Sequence, residues 1–309
     1  MTRPERIFIA GHRGLVGSAI ARQLAPGFGD QLLLRTRDEL DLRDQSAVNS
    51  FFKEFSPDQV YLVAGRVGGI KDNSEHPAEF ILDNLLIASN VIDAAYRYGT
   101  RKLLYLGSSC IYPKLAPQPL KPEHLLSGPL EPTNRAYAVA KIAGIEMCRA
   151  YRSQYGFNAI AAMPTNLYGP GDNFDLERSH VLPALLRRFV AAADSDAAEV
   201  VVWGSGKPRR EFLFVDDLAE AAVMLMQRYD DGEIINIGCG TDATIAEIAS
   251  TVAEVTGFRG EIRFDTSMPD GTPQKLLDIA PIRELGWAPR TSLTEGLRKT
   301  LHWYREKRS

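Results

Sequence analysis

Cysteine is scarce: the 309 residues contain only Cys110, Cys148 and Cys239, scattered without a repeated spacing. Such a set provides neither a disulfide framework nor a zinc motif, so the reading is metal-free and suits a reducing compartment. No apolar run approaches the roughly 20 residues that cross a bilayer. The opening Met1-Thr2-Arg3-Pro4-Glu5 also lacks the pattern of a secretion signal. A cytoplasmic protein without membrane association is expected. Positive charge is not in excess, since 36 Lys and Arg stand against 39 Asp and Glu. Without a dense basic run, nucleic acid is not an expected partner. Internal repeats, low-complexity tracts and flexible linkers are missing too.

What is present is a rhythm. Short apolar runs near residues 6–10, 31–35, 59–64, 102–107 and 158–163 alternate with amphipathic stretches at 16–24, 46–55, 84–98 and 136–155. Strands buried on both faces and separated by helices build a parallel sheet with helices on each side. The expected fold is α/β, a Rossmann-like doubly wound parallel sheet with a smaller C-terminal α/β substrate lobe. The sheet domain is expected over 1–165, joined by part of 211–238, and the substrate lobe over 166–309, interleaved with it. Beyond residue 165 the pattern predicts a helix over 180–193 and strands over 200–203 and 211–215. Asp216-Asp217 supplies a negative start for the next helix. Thr244 with Glu247, and Ser292 with Glu295, have the spacing of capping boxes opening the last two long helices.

Gly11-His12-Arg13-Gly14-Leu15-Val16-Gly17 directly follows the first strand and opens the first helix. Glycines there let the backbone turn and approach a pyrophosphate, whose charge meets the helix N-terminus. An acidic residue ending the second strand would bind the ribose hydroxyl of NAD. Here that end reads Arg35-Thr36-Arg37, and Arg13 sits in the glycine loop. Arginines clamp a 2′-phosphate through charge-assisted hydrogen bonds, so NADP(H) is the expected cofactor. Asp41-Leu42 is placed to meet the adenine.

Tyr137 and Lys141 are four apart on a predicted helix, which puts a phenol and an ammonium on one face. The ammonium is expected to favour the tyrosinate and lower the phenol's pKa, suiting it to exchange a proton with a carbonyl or alcohol oxygen. Ser108 and Ser109 lie just past a predicted strand, where strand carboxyl ends carry ligands. A serine there can bond the same substrate oxygen.

These motifs, with Gly107-Ser108-Ser109-Cys110-Ile111-Tyr112-Pro113-Lys114, resemble the extended short-chain dehydrogenase/reductase superfamily. Further segments resemble the GDP-L-fucose synthases within it. They include Leu130-Glu131-Pro132-Thr133-Asn134, Met163-Pro164-Thr165-Asn166-Leu167-Tyr168-Gly169-Pro170, Ser179-His180-Val181-Leu182-Pro183, Val201-Val202-Trp203-Gly204-Ser205-Gly206 and Pro269-Asp270-Gly271-Thr272-Pro273. That family inverts C3 and C5 of GDP-4-keto-6-deoxy-mannose and reduces C4 with NADPH.

The resemblance implies that Cys110 is the base and His180 the acid of the inversions, with solution pKa values of roughly 8.5 and 6.5. It implies that Ser108 and Tyr137 hold the enolate oxygen, that Tyr137 protonates the reduced C4 oxygen, and that Lys141 holds the nicotinamide ribose. Further cofactor contacts are implied at Leu106, Gly107, Ser109, Pro164, Thr165, Asn166, Leu167 and His180. Arg188, Trp203, Arg210 and Asp270 are implied for the nucleotide, and the helices over 84–98 and 136–155 for a homodimer. Gln274 and Val63-Ala64-Gly65-Arg66 depart from the family pattern. A related reductase or epimerase–reductase on another GDP-4-keto sugar, of colitose or deoxyheptose type, therefore stays open. A non-catalytic NADP sensor is disfavoured by the presence of both Tyr137 and Lys141. A dehydratase is disfavoured because Cys110-Ile111 stands where that subgroup carries an acidic pair.

Overall fold

A computed structural model describes residues 4–175, 179–268 and 270–308; Met1-Thr2-Arg3 and Pro269 of the quoted segments lie outside them. The first half comprises β1 (Ile7–Ala10), α1 (Leu15–Phe28), β2 (Leu32–Leu33), α2 (Gln45–Phe55), β3 (Gln59–Leu62), α3 (Ile70–Glu75), α4 (Pro77–Arg97), β4 (Lys102–Leu106), α5 (Arg135–Tyr155) and β5 (Ala159–Pro164). Then follow β6 (Asn166–Tyr168), α6 (Val181–Asp194), β7 (Glu199–Trp203), β8 (Arg209–Arg210), β9 (Phe212–Phe214), α7 (Val215–Arg228) and β10 (Ile235–Ile237). The chain ends with β11 (Ala243–Thr244), α8 (Ile245–Thr256), β12 (Glu261–Asp265), β13 (Gln274–Lys275), α9 (Ala280–Glu284) and α10 (Leu293–Arg308).

The main sheet runs β2-β1-β3-β4-β5-β10 and every pair is parallel. β1, β4 and β5 are buried along their whole length, as continuous apolar runs require of strands covered on both faces. Helices α1 and α7 pack together, as do α2, α4 and α5, and the sheet lies between the two layers. The doubly wound architecture read from the sequence is the one found. Chain direction across the sheet reverses at β1, and the crevice at the carboxyl ends of β1, β3 and β4 is where such sheets take ligands.

Two expected elements differ. β2 covers two residues rather than five, because Arg35 turns back to Leu34 O (2.9 Å) and its guanidinium lies over the Phe55 ring at 4.9 Å. α4 begins at Pro77, well before residue 84, with Pro77 in its first turn and Glu79 behind it; both are helix-start residues. Proline's fixed φ suits that position, so the signal was in the sequence.

The 211–238 segment returns to the main sheet, with β10 pairing to β5 in the register Ile235↔Ala162. A second apolar cluster is built from α6, β7, β9, α8 and α10, including Leu186, Phe189, Val202, Phe214, Val252 and Leu297. Thr244 and Glu247 close the expected capping box, with amide bonds of 3.1 and 2.7 Å; Glu295 N–H reaches Ser292 Oγ at 3.3 Å. Asp217 is buried and accepts the Arg290 and Thr291 amides (3.1 and 2.9 Å), so it ties α7 to the entry of α10.

The stretch around Lys275 is joined to two distant parts of the chain. Leu277 bridges in parallel to Leu120, with Asp278 N–H on Leu120 O at 2.8 Å, while Lys275 pairs with Arg210 on β8. Among the described residues, no helix is long and apolar enough to cross a membrane.

Candidate active site

The glycine loop after β1 is shaped by close approach. A Cβ on Gly17 would stand 2.2 Å from Gly11 O, and one on Gly11, at φ +96°, would stand 2.9 Å from Ala64 Cα. At Gly14 the nearest atom would be 3.4 Å away, so its missing side chain leaves room for something outside the chain. Gly14 caps α1 without a side-chain acceptor, and the helix has no acidic residue in its first turn. Its N-terminal amides therefore face outward with their positive end uncompensated. Leu15 and Val16 supply two of them.

The expected 2′-phosphate arginines are only partly as anticipated. Arg13 is exposed, and Arg37 is 69% exposed with Asp41 no nearer than 3.9 Å. Arg35 is instead committed to Phe55. His12 Nδ1 is buried without a hydrogen-bond partner among the described residues, and burial followed by Arg13 lowers its pKa. The Asp41 carboxylate is held by Arg43 at 2.6 Å and pushed down to about 2 by that bond. Leu42 O takes Asn90 Nδ2 at 3.0 Å. Adenine would thus meet this corner as a fixed ion pair, not an unengaged carboxylate.

At the end of β4, Gly107 packs on Met163, whose sulfur would lie 2.3 Å from an added Cβ. Ser108 caps the following turn, its Oγ accepting the Cys110 amide at 3.4 Å, and Ser109 and Cys110 are buried. Helix α5 reaches this point because Gly144 lies against Tyr105, where a Cβ would be 2.3 Å from the ring. Tyr137 stands edge-on to Phe80 (6.2 Å). Lys141, 4% exposed, donates to Leu106 O at 2.8 Å. Ser108, Cys110, Tyr137 and Lys141 are therefore gathered at one strand end.

Their protonation differs from expectation. Burial, then the nearby Cys110, pushes the Tyr137 phenol up, while a hydrogen bond with Ser108 pulls the other way. The Lys141 ammonium, 5.8 Å from the Tyr137 ring, does not override that burial. Burial brings Lys141 down to about 8.

His180 precedes α6 as its cap residue and has Lys275 as a charged neighbour, as Cys110 does. The protein around it, then the charge of Lys275, disfavours its charged form, so its pKa is lowered. The Cys110 thiol is pushed up by burial, opposed first by Lys275, then by Ser108 and Lys141. A thiolate base and an imidazolium acid are thus not the resting pair. Thr165 Oγ1 and Asn166 Nδ2 both bond Glu211 O (3.2 and 3.0 Å), and the Thr165 amide donates to Ile237 O at 3.0 Å, so this implied cofactor segment is tied into the fold.

Of the four nucleotide candidates, Arg188 and Trp203 meet, the guanidinium lying 5.1 Å above the indole. Arg210 is half-buried next to Lys275 and faces Asp270. The Asp270 carboxylate accepts the Ser205 amide and hydroxyl (2.8 and 2.7 Å), which folds the loop behind Trp203.

Residues 7–238 match the NAD dependent epimerase/dehydratase family. GDP-L-fucose synthase 1 of Arabidopsis thaliana is 56% identical to this chain, over 97% of it and 93% of the plant protein. The chain belongs to the GDP-L-fucose synthase family. Among solved structures, a GDP-6-OMe-4-keto-L-xylo-heptose reductase from C. jejuni is similar, with TM-score 0.93 and 38% identity over 99% of both chains. A GDP-L-fucose synthetase from Naegleria fowleri bound to NADP gives TM-score 0.90 and 29% identity, over 100% of this chain and 95% of that one.

In this GDP-L-fucose synthase family member, two site features had no local sequence signal. Lys275 looks in sequence like one more lysine in a loop, and only the β8–β13 register brings it to Arg210, Cys110 and His180. Asn84 is buried, donates to Arg66 O and Phe80 O (3.0 and 2.7 Å), and fits only because Gly65 lacks a Cβ, which would lie 2.6 Å from its Oδ1.

Asp172, in the loop packed on the first turn of α1, has Oδ2 buried without a partner among the described residues. Burial pushes its carboxyl up to about 7. The folded chain then holds a proton that the unfolded chain releases above its ordinary value, so stability falls as pH rises from about 4 to 7. Asp172→Asn is expected to raise the melting temperature by several degrees at pH 8 and by almost nothing at pH 4, read by calorimetry at both.

Proposed function

We propose that this chain converts GDP-4-keto-6-deoxy-D-mannose to GDP-L-fucose, inverting C3 and C5 and then reducing C4 with NADPH, as a cytoplasmic enzyme. The observation that carries the reading is that Cys110 and His180 both feel the charge of Lys275, beside a Ser108, Tyr137 and Lys141 group. A plain reductase would need only the last three.

NADP(H) fits the residues present: the uncapped α1 terminus and the space at Gly14 suit a pyrophosphate, Arg13 and Arg37 a 2′-phosphate, and the orphaned His12 nitrogen a polar neighbour. When bound, it supplies the hydride for C4. Protons on C3 and C5 flank the C4 ketone, so removing one leaves charge on the ketone oxygen. The Ser108 and Tyr137 hydroxyls are placed to hold that oxygen. Cys110 takes the proton on one ring face, and His180 returns one on the other. Moving a single proton from the resting thiol to the resting imidazole creates the working pair with no net uptake. Lys275 favours the thiolate. The diphosphate, attracted to Lys275 and Arg210, offsets the repulsion that keeps His180 neutral.

That diphosphate role is itself open to measurement. The carboxylates nearest these cations are already engaged, Glu131 by Lys114 at 2.8 Å and Asp270 by Ser205, so two like charges stand side by side awaiting an anion. Lys275→Met should raise KM for the GDP-sugar about 10–100-fold, the scale of one charged hydrogen bond. Inversion should fall further than reduction, because the thiolate loses its cation; equal loss of both would assign Lys275 to binding alone.

The test of the whole reading is loss of NADPH absorbance with GDP-4-keto-6-deoxy-D-mannose, followed by NMR of the sugar. GDP-L-fucose is expected. The likeness to the heptose reductase supports the second reading, a reductase on another GDP-4-keto sugar, which would oxidise NADPH fastest with that sugar and leave C3 and C5 unturned. We further propose a homodimer through α4 and α5, where Leu82 and Val139 are exposed; sedimentation as a single chain would count against it.

A further inference from the structure

One cavity, of about 560 Å³, lies between the C-terminal half of α6, β7 and α10, within the size range of small-molecule sites. Its shape follows from strand periodicity. Glu199, Val201 and Trp203 alternate onto one face of β7, each about 6.6 Å from the next, and all three line the cavity. At one end the Trp203 indole is 59% exposed, with the Arg188 guanidinium above it. In the middle, Val201 forms an apolar floor, and Ala191 on α6 leaves space above it. At the other end is the Glu199 carboxylate.

That carboxylate is held in a fixed orientation. The register of β12 on β7 puts Arg263 opposite Val201. Its Nε and Nη2 donate to the two Glu199 oxygens at 3.0 and 3.1 Å. Each oxygen thereby gives one lone pair to the arginine fork and keeps another. Glu199 is thus a pair of acceptors at one end of a cavity whose other end is aromatic.

With Arg188 and Trp203 already implied for the nucleotide, we propose that Glu199 selects its base, one oxygen accepting guanine N1–H and the other the exocyclic N2–H. The inference rests on the GDP-sugar reading above and extends it to the group that selects the base. Guanine alone among the common bases presents two parallel donors on one edge. Adenine offers an acceptor at N1, uracil puts carbonyls on both sides of its single N–H, and hypoxanthine has N1–H without the amino group. A carboxylate rewards the guanine pattern and repels the others, so discrimination comes from mismatched acceptors as much as from bonds formed. Trp203 and Arg188 supply stacking, which any base satisfies.

The test is equilibrium binding of GDP, IDP and UDP to the wild type and to Glu199→Gln, Arg263→Gln and Trp203→Ala. The wild type should bind GDP about 10–100-fold more tightly than IDP, the amino group being the only difference, as expected for a bond to a charged acceptor. Glu199→Gln should reduce that ratio to near one while keeping IDP affinity, which also shows the variant to be folded. Arg263→Gln removes the ion pair and keeps the carboxylate, so the ratio should survive. An unchanged GDP/IDP ratio in Glu199→Gln overturns the assignment of Glu199, and if Trp203→Ala still weakens all three ligands, the nucleotide site itself stands. A wild type that binds GDP and UDP equally overturns the GDP-sugar reading, and this inference with it.

Discussion

Cys110→Ala is expected to separate the two halves of the reaction, cutting inversion by about a thousandfold while leaving C4 reduction within about tenfold. The first figure lies in the range for loss of a positioned acid or base. The second follows because Tyr137 and Ser108 are assigned to the C4 oxygen independently of the thiol. Cys110 sits on the turn capped by Ser108 and is 6% exposed, so alanine removes the sulfur with little change in packing. In deuterated water the wild type should carry solvent deuterium at C3 and C5. Cys110→Ala should carry almost none, and its reduced product should keep the ring configuration of the substrate. His180→Asn should behave differently: Cys110 loses both the acceptor of its resting proton and the opposite-face acid, so deuterium enters more slowly and with retention, because the proton returns to the face it left. Full deuterium uptake in Cys110→Ala would remove the thiol from the mechanism.

These assignments came from the sequence wherever chemistry is local. The glycine loop, the serine pair after β4 and the tyrosine–lysine spacing on α5 are each contained in one turn or one strand end, and short-range sterics fix such units. The strands were legible for the same kind of reason: runs such as Ile7–Ala10 and Ala159–Pro164 are apolar at every position, as only a doubly covered sheet demands. What failed was set by distant partners. Arg35, beside the arginines expected at the phosphate, stacks on Phe55 at the far end of the next helix. The lowered phenol expected of Tyr137 was not found, because burial, then Cys110, governs the phenol. Lys275 escaped notice because parallel pairing across 65 residues places it, and no spacing within β13 announces that. The protonation of Cys110 and His180 depends on that lysine, so it too was out of reach.

Tyr137→Phe should lower C4 reduction by about 10²–10⁴-fold, the usual scale for removing a proton donor, with binding of the GDP-sugar little changed. The phenol is raised by burial and by Cys110, so it remains a proton donor throughout the working pH range. The alkaline limb of reduction then belongs to Lys141, held at about 8. Reduction should decline above that pH, and Tyr137→Phe should lower the whole profile without moving the limb.

The same lysine carries a stability cost whose sign is fixed. Its folded pKa lies below its unfolded one, so between about 8 and 10.5 the unfolded chain binds the extra proton and stability rises with pH. Below about 8 the full penalty is present, on the order of 3 kcal/mol for that displacement. Lys141→Met should therefore melt several degrees higher than the wild type at pH 7 and lose the rise above pH 8, even as reduction fails. A melting temperature at pH 7 below that of the wild type would mean that the bond to Leu106 outweighs the buried charge. The ammonium would then belong to the fold as much as to the chemistry.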